Sequence, residues 1–147
     1  MADHPPDEFT RRARNFTLNR LFLGDMLLNW FLGIVLIAFP TFVDRLVGAA
    51  GTPIVPLMVY RAIGTIFLLF ATWQTVVIAR QKLGLAALVF ACLMAEVPVV
   101  LLTIALVYMD LPLRPVWRAI LWVGNGYMLF LGAWYLFLAR RLARAAP

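Results

Sequence analysis

Cysteine and histidine are almost missing from this 147-residue chain, which has one of each, Cys92 and His4. A lone thiol excludes an internal disulfide. A lone imidazole excludes haem held by a histidine pair, a two-histidine zinc site and a serine–histidine triad built from this chain alone. No metal or cofactor is expected. Charge is scarce as well: 14% of residues are charged against 64% hydrophobic, and the mean hydropathy is +0.90. A soluble domain of this size needs more charge to stay dispersed, so the composition favours the membrane class and a single domain. The net charge of +6 does not point to nucleic acid, because the basic residues flank apolar runs instead of covering a folded basic surface. The partner they suit is a lipid bilayer with anionic headgroups.

What is present in quantity is apolar sequence, in four runs that each reach the roughly 20 residues a spanning helix needs. They lie at about 21–43, 57–79, 83–109 and 119–139. Residues 1–20 then form a basic arm and 140–147 a basic tail. The first run follows basic residues, as a signal peptide does. It is too long for the apolar part of one and carries Asp25 and Asn29, so it reads as an uncleaved helix. The connections are short: "DRLVGAAGTPIVP", "RQK" and "DLPLRPVWR", with glycine and proline stopping helix continuation. The fold class that follows is all-α, a membrane-embedded antiparallel four-helix bundle.

Lysine and arginine set its orientation. Arg11, Arg12, Arg14, Arg20, Arg80, Lys82, Arg140, Arg141 and Arg144 fall on the side of the two termini, against Arg45, Arg114 and Arg118 on the other. An excess of that size places both termini in the cytoplasm. Tyr60, Tyr108, Trp117 and Trp122 fall near the outer ends of the runs, and Trp73, Trp134 and Tyr135 near the inner ends, as interfacial aromatics do.

Each run keeps polar residues that lipid disfavours, and these are the candidate site residues. Arg61 in the outer half, Glu96 near the midplane and Asn125 at an intermediate outer depth form one expected intramembrane cluster. The depth gap between Arg61 and Glu96 is roughly 10 Å at 1.5 Å per residue, which a long arginine side chain nearly closes. Pro98 leaves the carbonyl of Met94 without its helical donor beside Glu96. In such surroundings Glu96 has to be either protonated or paired with Arg61. Asp25 and Asn29, four apart on one face, form a second layer with Gln74, within reach of Arg20 and Arg80. Both groupings admit a plain structural use, stapling helices together, beside proton-carrying or ligand-binding uses. Gly24, Gly33, Gly64, Gly84, Gly124, Gly126 and Gly132 suit close helix approach. The "GNG" at 124–126 also suits a pocket around Asn125. Met26, Met94 and Met128 read as core fillers, not metal ligands, and Cys92 as an inert buried thiol.

The proline that ends the first run, "AFPTFV", and the Arg-x-x-Gly that opens the second, "YRAIGTIF", together with four short-looped helices, resemble the small bacterial DoxX-like membrane proteins. The layout is also similar to Erg28-type four-helix proteins, and the resemblance covers about 21–139. It implies a multi-pass protein of the bacterial inner (plasma) membrane and, from the Erg28 side, a role in tethering partner enzymes. It transfers no catalytic residue. Small multidrug-resistance transporters share the helix number, but their acid lies in the first helix and Glu96 in the third.

Three functions follow as expectations. The first is a non-catalytic scaffold or accessory subunit of a membrane complex, partnered by another membrane protein or by a second copy. The second is a small proton-coupled transporter using Glu96. The third is an integral membrane enzyme acting on a lipid or quinone, with Glu96 or Asp25 as acid or base.

Overall fold

The computed structural model describes residues 8–49, 53–80 and 84–144. The described residues are helical almost throughout, in five segments: α1 (Glu8–Ala38), α2 (Pro40–Val47), α3 (Leu57–Ala79), α4 (Leu85–Tyr108) and α5 (Pro115–Arg144). Four helices are long and apolar enough to cross a membrane, at Arg20–Ala38, Leu57–Ala79, Leu85–Tyr108 and Pro115–Arg141.

The first helix corrects the sequence reading at its far end. A single run to Val43 was expected, whereas α1 stops at Ala38 and a separate short helix starts at Pro40. The cause is local. A residue before proline is pushed out of the α region, and Phe39 sits at φ −127°, ψ 44°. Pro40 then suits the first position of α2, where its missing N–H costs nothing. At the near end α1 begins at Glu8, so part of the expected arm is helical, and residues 1–7 lie outside the described residues. The fourth helix is also longer than expected, starting on Pro115 and running to Arg144.

The long helices pack in two pairs, α1 with α3 and α4 with α5. Within the first pair Asp25 meets Gln74 and Gly33 meets Gly64. Within the second, Glu96 meets Gly132 and Asn125 meets Thr103. As numbering rises along one helix, the partner residues fall along the other. Glycine makes the α1–α3 approach close. A Cβ added at Gly64 would sit 2.9 Å from the Gly33 carbonyl oxygen, and one added at Gly33 would sit 3.0 Å from that of Gly64. Of the other glycines, Gly24, Gly84, Gly124 and Gly126 have nothing near the place of an added Cβ. Close helix approach is not what these four provide.

The two pairs join around Phe22, Phe70, Leu88, Leu131 and Tyr135, all buried. Phe22 contributes edge-on ring contacts to Tyr135 and Trp73. Outside this core the helices present leucine, isoleucine, valine and phenylalanine. Phe31, Leu69, Leu101 and Val123 are each more than half exposed, a surface that water does not tolerate over such an extent.

Candidate functional site

Asp25 lies on the face of α1 that meets α3, 3% exposed, one helical turn before Asn29. Its Oδ1 accepts a hydrogen bond from Asn29 Nδ2 at 3.2 Å. Its Oδ2 accepts two, from Gln74 Nε2 at 2.8 Å and from the Tyr135 hydroxyl at 3.0 Å. Asn29 Nδ2 uses its second proton on Gln74 Oε1, 3.1 Å away. Asp25, Asn29 and Gln74 thus close a ring, and Tyr135 ties it to a third helix. All four side chains are buried. A carboxylate is an acceptor only and an amide has two protons to give, so each group supplies what its neighbour lacks. Around the ring, Trp30 Nε1 donates to Thr75 Oγ1 at 3.2 Å. The Thr75 hydroxyl in turn lies 2.8 Å from the Ala71 carbonyl oxygen.

The other expected cluster is not brought together. Arg61 is exposed on α3, and among the described residues its guanidinium makes no hydrogen bond or ion pair. Asn125 is buried, but its Nδ2 donates to Thr103 Oγ1 at 2.8 Å. Glu96 is half-buried, with its carboxyl laid against Gly132 of α5, where any Cβ would strike it. The reason for the separation is pairing: α3 carries Arg61 and packs on α1, while α4 carries Glu96 and packs on α5. Among the described residues the Glu96 carboxyl makes no hydrogen bond.

Three residues of these networks were not singled out as site residues from the sequence. Tyr135 has the position of an interfacial aromatic, yet its hydroxyl points inward to Asp25. Thr103 gives no signal in an apolar run. Asp44, in what looked like a loop, is buried on α2 and accepts from the Ile54 N–H and the Tyr60 hydroxyl, both at 2.9 Å. That acid organises the end of the bundle where the α2–α3 and α4–α5 connections lie. There the two connecting segments are laced by Ala49 N to Pro112 O at 2.7 Å, Arg114 N to Val47 O at 3.1 Å and Arg114 Nε to Gly48 O at 2.9 Å. The sequence signal near Asp44 was Pro40, a residue that suits the first position of a helix.

Chemically, the Asp25 layer binds three helices through directed hydrogen bonds, and among the described residues no fully buried side-chain polar atom is left without a partner. No family model matches the sequence, and neither the curated proteins nor the solved structures give a match.

Proposed function

We propose that the chain is a multi-pass protein of the bacterial inner membrane, an antiparallel four-helix bundle with both termini in the cytoplasm. Its role is that of a non-catalytic accessory subunit or scaffold for another membrane protein. The opposite running of the contact pairs supports the antiparallel order, and nine lysines and arginines against three support the orientation. The resemblance to DoxX-like and Erg28-type proteins points the same way. The observation that carries the role is the closure of the Asp25 ring. The most deeply buried acid of the spans has three donors from its own chain, which makes it a tie between helices and leaves the outer apolar faces as the surface for contact.

The experiment is native mass spectrometry of the full chain extracted gently from its own membrane. The expected species is a heteromeric complex with one other membrane protein at a fixed ratio. A chain recovered only as monomer or self-dimer contradicts an accessory role.

One observation favours the transporter reading as the runner-up, namely a half-buried Glu96 without a hydrogen-bond partner among the described residues. Glu96→Gln separates the two. An accessory subunit keeps complex formation and any cellular phenotype at normal abundance, whereas a proton carrier loses the phenotype because an amide does not titrate.

A further inference from the structure

Between α3 and α4, where the two helix pairs meet, lies a half-open groove of about 220 Å³ lined by Ile66, Leu69, Phe70, Trp73, Phe90 and Met94. Every lining side chain is apolar. Its floor is aromatic: Phe70 stacks on Trp73 with ring centroids 5.5 Å apart and Phe90 meets Trp73 edge-on at 4.6 Å. At this volume the groove falls below the roughly 300–1,000 Å³ of sites for drug-sized molecules. It suits a narrow hydrocarbon chain.

The stripe that lines the groove continues to a charge. Ile66, Trp73 and Arg80 are seven residues apart, a spacing that drifts only about 20° per step around a helix. Arg80, exposed at the C-terminal cap of α3, therefore stands over the same face. Ile66 to Arg80 covers roughly 21 Å at 1.5 Å per residue. Half a bilayer with its headgroups is about 20–22 Å, and Ile66 lies near the middle of α3. The depth of the groove and the height of the arginine match one phospholipid of a single leaflet.

We propose that this groove and Arg80 form a site for an anionic phospholipid, with one acyl chain along Ile66–Trp73 and the headgroup phosphate at the guanidinium. The site rests on the membrane embedding proposed above but not on the accessory role, so it stands whatever partner the chain accompanies. A guanidinium presents planar donors to phosphate oxygens, and one arginine near an anionic lipid surface is worth roughly a fivefold preference.

The test is native mass spectrometry of the delipidated full chain in detergent with an equimolar mixture of phosphatidylglycerol and phosphatidylcholine carrying the same acyl chains. The expected result is a single retained lipid with phosphatidylglycerol favoured about fivefold. Arg80→Gln should abolish the preference and Arg80→Lys should keep most of it. Arg144→Gln, remote in sequence but equally exposed and basic, should leave it unchanged. Leu69→Trp, at a rim position 67% exposed and so compatible with folding, should lower retention of both lipids. Equal retention of the two lipids by the wild type overturns the proposal. So does a preference that survives Arg80→Gln, or unchanged retention in Leu69→Trp.

Discussion

Asp25 has both carboxyl oxygens engaged, so its removal affects three neighbours at once. Asp25→Ala leaves the Gln74 amide, the Tyr135 hydroxyl and one Asn29 proton without an acceptor. The expected loss is about 1–3 kcal/mol, read from unfolding in mixed detergent micelles. Tyr135→Phe removes one donor and keeps the ring packed against Phe22, so it should cost less, about 0.6 kcal/mol and under roughly 1.7. Equal losses from the two variants would show that the hydroxyl bond, not the carboxyl, is what matters. Arg61 and Glu96 behave differently. No contact joins them, so Arg61→Ala and Glu96→Ala should add, within about 0.3–0.5 kcal/mol, in a double-mutant cycle. A coupling well above that would mean the two groups meet.

At the level of the helix, the glycines separate by what a side chain would strike. At Gly64 an added Cβ meets the Gly33 backbone oxygen, which moves only if the whole helix moves. At Gly132 it meets the end of the flexible Glu96 side chain. Gly64→Ala should therefore destabilise by about 1–3 kcal/mol, the usual cost of overpacking, and Gly132→Ala by clearly less. The reverse order in a thermal-denaturation series would put the tight helix contact at α4–α5. The same contrast shows what the sequence made legible. Hydropathy placed a span at about 57–79, and α3 runs from Leu57 to Ala79. The i, i+4 spacing of Asp25 and Asn29 put them on one face. Depth grouped them with Gln74, which the structure brings to both, but the tie to a third helix through Tyr135 was not legible, because that residue has the position of an interfacial aromatic. Arg61 and Glu96 looked close in depth terms alone, and pairing of α3 with α1 separates them. The proline at 40 was visible, but its effect on Phe39, and hence the division into α1 and α2, needs backbone angles and not hydropathy.

For the molecule as a whole, the buried polar layer and the laced connections sit at opposite ends of the bundle. Asp25, Gln74 and Tyr135 tie three helices near one end. Asp44, Arg114 and the Gly48–Leu113 bridge hold the other end. The proposed depths of Asp25 and of the lipid groove, and the leaflet that Arg80 reaches, all inherit from one claim: the four long helices cross the bilayer in alternating directions with both termini in the cytoplasm. Reporter fusions test that claim most directly. Fusions after residue 147 and within "RQK" should report the cytoplasm, and one within "GAAGTP" should report the outside. An external signal from residue 147, or the same side reported by "RQK" and "GAAGTP", would contradict it.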